Sequence, residues 1–190
     1  SFQANDARRP TPAPPASRAE LGLPEEGFVF CCFNNSYKLL PRSFDIWMRL
    51  LAQVPGSVLW LLASHEAVAA NLRAQAQARG VDPARLRFAG RRPYARYLAD
   101  FQQADLFLDT LPFNAGTTAS DALWAGLPVL TLAGRSFAGR MAASLLDAVG
   151  LPELITHGAA QYEALALRLA REPARLHGLR TRLAAARATA

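Results

Sequence analysis

The stretch Asp109 to Gly126, DTLPFNAGTTASDALWAG, holds the residue types and spacing best suited to chemistry in this chain. A short loop leads into Gly116-Thr117-Thr118, and Asp121 follows three to four residues later. If a helix begins near Thr117, its first backbone N–H groups lack intrahelical acceptors and point into the space before the loop. That makes a place for a phosphate. Thr117 and Thr118 can cap such a helix and add hydroxyl donors. Asp121 then projects from the same face one turn deeper, where a carboxylate suits a sugar hydroxyl beside the phosphate. The same pattern also describes an ordinary capped helix start with a solvated aspartate, and this stretch alone does not separate the two.

Lys38 is the second candidate. It is the only lysine among 21 basic residues, in a chain that otherwise uses arginine. A lone lysine in that setting is a candidate for a role that needs a compact ammonium, such as contact with a phosphate. It ends the polar turn Asn34-Asn35-Ser36-Tyr37-Lys38, which follows the apolar run Gly27 to Phe33. A third group, Arg91 to Tyr97, precedes a helix and carries Arg92, Tyr94 and Tyr97. Arg135 and Arg140 flank a glycine-containing loop and read as a solvated face, while Trp47, Trp60 and Trp124 sit in apolar patterns and read as core.

The elements that must position these residues alternate. Buried strands read at Gly27–Phe33, Ser57–Ala63, Leu86–Ala89, Leu106–Asp109 and Val129–Leu132, with a short sixth at Leu154–Thr156. Helices read at Pro41–Val54, His65–Arg79, Tyr94–Gln103, Thr117–Ala125, Gly139–Val149, Ala159–Ala170 and Pro173–Ala186. The first of these presents Phe44, Ile46, Trp47, Leu50 and Leu51 inward. Strands that are continuously apolar, alternating with helices, predict an α/β fold: a parallel sheet with helices on both faces. Ligands in such folds sit at the carboxyl ends of the strands, where the three candidate groups can converge. Residues 1–19, with PTPAPPAS and no hydrophobic period, read as an extended linker, and residues 20–190 as one domain.

Composition narrows the functions further. Half the residues are hydrophobic, yet no apolar run approaches the ~20 residues of a membrane span. The net charge of +6 is spread out, without the basic run and interleaved aromatics of a nucleic-acid surface. Neither membrane nor nucleic acid is therefore an expected partner. Cys31 and Cys32 are adjacent on a strand, point to opposite faces, and read as core thiols of a cytoplasmic protein. There is no GxGxxG after the first strand, no phosphate-loop lysine motif, no DxD triplet, and the three histidines are far apart. A diphosphate bound here would be met by the helix N-terminus, the threonine hydroxyls and Lys38, without metal.

FNNSYK, SVLWLL, ADLFLDTLPFNAGTTASDALWAGLPVLTL and FAGRMAASLL, in that order, resemble the C-terminal half of the O-GlcNAc transferases and their bacterial relatives. The resemblance runs from about Leu21 to Arg187, and GTTASDALWAG is its most specific block. It implies the Rossmann-like, nucleotide-sugar-binding half of a two-lobed GT-B glycosyltransferase that inverts its sugar centre and needs no metal or other cofactor. It further implies UDP-N-acetylglucosamine as donor, serine and threonine hydroxyls of proteins as acceptors, and an N-terminal lobe and tetratricopeptide repeats in front of this segment. By match to the family's motif, Lys38 would contact the diphosphate and help it depart. Asn35 would lie near the same phosphates, where animal members carry glutamine. Gly116, Thr117 and Thr118 would hold the phosphates, and Asp121 the ribose. Arg92, Tyr94 and Tyr97 would line the uracil.

Two departures stand out. Many members carry histidine where this chain has Gly116, which keeps a backbone donor and removes a side-chain contact. Tyr97 falls where animal members place histidine, and a tyrosine packs on a base equally well. Two alternatives accompany the expected activity: a glycosyltransferase of the same build with another UDP-sugar or acceptor, or an inactive binding module marked by Gly116. This segment by itself, lacking the other lobe, is expected not to transfer sugar.

Overall fold

The computed structural model describes residues 9, 10, 12–63 and 65–188. Of the residues read as a linker, 1–8 and 11 lie outside that set. The elements are β1 (Val29–Cys32), α1 (Pro41–Gln53), β2 (Val58–Leu62), α2 (Glu66–Gln77), β3 (Leu86–Ala89), α3 (Tyr94–Asp100), β4 (Leu106–Leu108), α4 (Thr117–Trp124), β5 (Val129–Leu132), α5 (Met141–Ala148), β6 (Ile155–Thr156), α6 (Ala159–Arg171) and α7 (Pro173–Ala188). The alternation read from the sequence is the one observed.

The six strands form one sheet in the order β3-β2-β1-β4-β5-β6, and every pairing is parallel. The chain starts in the middle, winds outward to β3, and returns to the other side of β1. Connections on the two sides of β1 and β4 therefore diverge, which opens a crevice at their carboxyl ends. All residues of β1 and β4 are buried. Successive strand side chains point to opposite faces, so both faces of the sheet centre are covered.

Differences from the sequence reading fall at the ends. Gly27 has φ +105° and belongs to the turn before β1. α3 stops at Asp100 and tightens into a 3-10 turn over Phe101–Gln103. α5 begins at Met141 because Gly139 stays in the loop. Gly126, with φ +89°, closes α4: its N–H bonds Leu123 C=O and the next N–H, of Leu127, bonds Ala122 C=O. That left-handed closure sends the chain directly into β5.

Helix α1 buries Phe44, Ile46, Trp47, Leu50 and Leu51, the face its spacing predicts. It packs against α6, where Trp47 Nε1 donates to the Tyr162 hydroxyl at 3.4 Å. That hydroxyl donates in turn to the main-chain oxygen of Asp109 at 3.1 Å. A helix far along the chain thus holds the carboxyl end of β4. Trp47 and Trp60 are core, as read, but Trp124 is only half-buried. The Arg9 guanidinium lies 5.9 Å from the Trp124 ring centroid.

Tyr162→Phe leaves the Asp109 carbonyl without its donor. We expect a loss of about 1–2 kcal/mol in urea denaturation, and an unchanged midpoint would show that the bond adds nothing.

Candidate functional site

The site is built on Asp109, the first residue after β4, which is 2% exposed. Its Oδ1 accepts the N–H groups of Thr110 (2.8 Å) and Ala115 (2.7 Å), and its Oδ2 accepts the Thr131 hydroxyl of β5 at 2.7 Å. Asn34, just beyond β1, reaches across with its Nδ2 on Thr110 Oγ1 at 2.7 Å. Thr110 Oγ1 donates to Phe113 C=O at 2.8 Å, and Asn114 Nδ2 to Thr110 C=O at 2.9 Å. These bonds fold residues 110–115 into one shape between β4 and α4. Burial pushes the Asp109 carboxyl up to about 6, against the pull of Thr131, Ala115, Thr110 and the Lys38 charge.

Lys38 ends the 3-10 turn Ser36–Lys38 after β1. Its Nζ donates to Asn114 C=O at 3.0 Å and lies 4.0 Å from the centroid of the Phe113 ring. Burial lowers its pKa, and the Asp109 carboxylate opposes that shift. The ammonium therefore stands two residues ahead of Gly116, at the entrance to α4. Asn35 is exposed; its carbonyl accepts Lys38 N–H at 3.0 Å and its side chain makes no capping bond.

α4 begins at Thr117 as the spacing predicts, but the cap differs from the one expected. Gly116 is the N-cap residue and no side chain caps the helix. Thr117 and Thr118 are the first two helical residues, and the first main-chain bond is Ser120 N–H to Gly116 C=O at 3.0 Å. The N–H groups ahead of Ser120 have no intrahelical acceptor and face the loop side. Thr117 is exposed, while Thr118 is half-buried.

Asp121 is not the solvated aspartate of the ordinary reading. It is 3% exposed, and its Oδ1 takes the Tyr94 hydroxyl at 2.7 Å and Arg9 Nη1 at 3.2 Å. Burial pushes its pKa up, and Tyr94 and Arg9 pull it back. Burial and the neighbouring carboxylate push the Tyr94 hydroxyl up to about 12. Tyr94 and Tyr97 stack at 6.1 Å with 22° between their planes. Tyr97 continues inward onto Phe101 at 4.9 Å and Phe33 at 6.1 Å, leaving Tyr94 as the outer ring, 43% exposed. Arg92 is turned aside: its Nε lies 3.3 Å from Asp100 Oδ2, at the end of α3.

The structure thus brings Lys38, Gly116, Thr117, Thr118, Asp121, Tyr94 and Tyr97 to the carboxyl edge of the sheet, with Asn35 at the rim and Arg92 held by Asp100. Sequence reasoning gave no role to Asn34, Asp109, Thr110, Asn114 or Arg9. The available signal was a polar residue at the end of an otherwise apolar strand, which Asn34 and Asp109 both are. Behind the loop, Asn114 N–H donates to Ala138 C=O at 2.9 Å. A Cβ on Gly139 would meet Pro112 O at 3.0 Å and Gly134 Cα at 3.1 Å, so the loop after β5 needs glycine to approach. Arg135 and Arg140 are exposed, as read.

The strand order, the crevice at the switch point and the helix N-terminus facing a lysine define a Rossmann-like α/β lobe with an anion-binding edge. The model of glycosyl transferase family 41 matches residues 3–190, and the chain belongs to that family. It is 37% identical over 171 residues to a UDP-N-acetylglucosamine–peptide N-acetylglucosaminyltransferase of Caenorhabditis elegans, covering 90% of this chain and 15% of the relative. It is 38% identical over 173 residues to the probable UDP-N-acetylglucosamine–peptide N-acetylglucosaminyltransferase SEC of Arabidopsis thaliana, covering 90% of this chain and 18% of that one. Among solved structures, an O-GlcNAc transferase mutant of Thermobaculum terrenum superposes with a TM-score of 0.86 at 32% identity, over 97% of this chain and 34% of the other. The sucrose-phosphate synthase of Thermosynechococcus elongatus shares the fold, with a TM-score of 0.63 at 21% identity over 90% of this chain and 45% of that one. The chain therefore spans less than half the length of each of these relatives, and under a fifth of the two transferases of Caenorhabditis elegans and Arabidopsis thaliana.

Asp109 makes a pH-dependent contribution to stability with a defined sign. Its folded-state pKa of about 6 lies above the ordinary 3.8, so the native state binds this proton more tightly than the unfolded chain. The stability it contributes is complete below about pH 4 and is lost as pH rises through about 6. Wild type minus Asp109→Asn, measured by urea titration across that window, should fall by about 3 kcal/mol. A flat difference would mean that this carboxyl does not titrate there.

Proposed function

We propose that this chain is the donor-binding lobe of an inverting glycosyltransferase that moves N-acetylglucosamine from UDP-N-acetylglucosamine to serine and threonine hydroxyls of proteins. The observation that carries the reading is Lys38, held by Asn114 C=O at the entrance to α4. In this reading the diphosphate lies between the ammonium and the N–H groups of Thr117 and Thr118, with Asp121 on the ribose and Tyr94 beside the base. As the bond from the sugar to the diphosphate breaks, negative charge grows on the departing phosphate oxygen. Donors already aimed at that oxygen stabilise it without reorganisation. The acceptor hydroxyl attacks from the opposite side of the sugar carbon, which inverts it.

The reading includes independence from metal. Of the two nearby carboxylates, Asp109 gives both oxygens to Thr131, Thr110 and Ala115, and Asp121 gives one oxygen to Tyr94 and Arg9. Among the described residues no group of three or more histidine, cysteine, aspartate or glutamate side chains could hold an ion. It also includes an N-terminal lobe and tetratricopeptide repeats, supplying acceptor contacts in a bacterial, cytoplasmic enzyme. The free, buried thiols of Cys31 and Cys32 accord with that compartment, and among the described residues no helix is long and apolar enough to cross a membrane. A second reading, nucleotide binding without turnover, draws on Gly116, which supplies a backbone N–H and no side chain.

Calorimetric titration with UDP, with and without magnesium, tests the proposal. We expect metal-independent binding that weakens at least about tenfold in Lys38→Ala, the scale of one charge-assisted contact. Absence of UDP binding to the intact, folded protein would sink it. Binding without sugar transfer by the intact protein would favour the second reading.

A further inference from the structure

The residues before β1 are more than a tether. Arg18 anchors them at the amino-terminal edge of the sheet, donating to Asp105 Oδ2 at 2.9 Å, to Gly27 C=O at 2.9 Å and to Gln103 C=O at 3.2 Å. The arm then runs along α3, where Ala13 N–H donates to Ala95 C=O at 3.2 Å and Arg96 Nη1 to Pro14 C=O at 3.5 Å. Its described part reaches the opposite edge at Arg9, whose side chain is 8% exposed. Arg9 Nη1 lies 3.2 Å from Asp121 Oδ1, Nη2 donates to Ser120 Oγ at 2.9 Å, and the guanidinium lies over Trp124. Pro10, Pro12, Pro14 and Pro15 fix φ along this path, so little chain entropy is lost in holding it.

We propose that Arg9 is a positioning residue of the nucleotide site, holding the Asp121 carboxylate by one oxygen so that the other is presented to a ribose hydroxyl. This rests on the donor-lobe reading above. Arg9 and Tyr94 both bind Oδ1, and among the described residues no donor reaches Oδ2. A carboxylate accepts several bonds, so this arrangement keeps acceptor capacity on Oδ2. Asp121 is buried on a helix, where an unpaired carboxylate tends to neutralise and ceases to be an acceptor-only group. The Arg9 charge opposes that, and the Ser120 bond fixes the guanidinium on the same helix face. Tyr94, at Oδ1, and Tyr97, stacked on Tyr94, are the titratable groups of α3 that face this carboxylate.

The test compares UDP with 2′,3′-dideoxyuridine diphosphate, which keeps base and phosphates and lacks both ribose hydroxyls. In the intact protein, Arg9→Ala should weaken UDP binding about tenfold and leave the dideoxy compound unchanged. Arg9→Lys should restore part of the difference. Donor KM should rise with kcat near wild type. Equal weakening of both ligands would indicate a merely structural role and overturn the proposal, as would unchanged or tighter UDP binding, the latter meaning that the arm obstructs the site. If Arg9→Ala does not fold, Arg9→Gln answers the same question: weaker binding of UDP with the dideoxy compound unchanged supports the proposal, and equal weakening of both or of neither refutes it. Wild-type protein that binds UDP, loses it in Lys38→Ala, and keeps it in Arg9→Ala would leave the donor-lobe reading standing while removing Arg9 from it.

Discussion

One carboxylate organises the carboxyl edge of this sheet. Both faces of the central strands are covered, so the chain leaves β4 through a loop buried at both ends, where its N–H groups need acceptors. Asp109 supplies them for Thr110 and Ala115 with one oxygen and takes the Thr131 hydroxyl of the neighbouring strand with the other. Thr131 in turn receives the Thr156 hydroxyl of β6 on its carbonyl at 2.8 Å. On the far side Asn34 ties the end of β1 to Thr110. A polar chain thus crosses β1, β4, β5 and β6 at one level. Burying the charge is unfavourable, and the raised carboxyl pKa records it. The donors around it offset that cost and leave the loop a single shape.

Everything that faces the crevice inherits that shape. Lys38 has a fixed Nζ because Asn114 C=O and the Phe113 ring are fixed. Gly116 begins α4 where it does because Ala115 N–H is held on Asp109. The two helices against the site contribute differently: α6 braces the loop from beneath through Tyr162, and α3 closes its side with the Tyr94–Tyr97 pair.

The edge divides electrostatically. Around Lys38 and the first turn of α4 the groups are donors: an ammonium, main-chain N–H groups and threonine hydroxyls. One turn along α4 the character reverses to a carboxylate, whose pKa burial raises against the pull of Tyr94 and Arg9. A diphosphate joined to a ribose carries the complementary pattern over the same span, anion first and hydroxyl donors next. The donor-lobe reading rests on this correspondence, and membership of glycosyl transferase family 41 agrees with it.

Local rules determined much of this protein. Apolar runs alternating with helical periods are enough to specify a covered parallel sheet, because a strand buried on both faces has no other composition available. The start of α4 at Thr117, its closure at Gly126, and the candidacy of Lys38 and Asp121 follow from spacing and residue type alone. The cap did not: a glycine took the place expected for a threonine, because the loop held by Asp109 presents Gly116 at that point. Asn34, Asp109 and Thr110 carry no local signal beyond polarity at a strand end, since their partners lie on other strands. Arg9 carried less still. In sequence it is one of three arginines in a proline-rich arm, more than a hundred residues from Asp121. Only the path of that arm along α3 brings it to the carboxylate, and a path set by contacts between distant segments cannot be read from the segment itself.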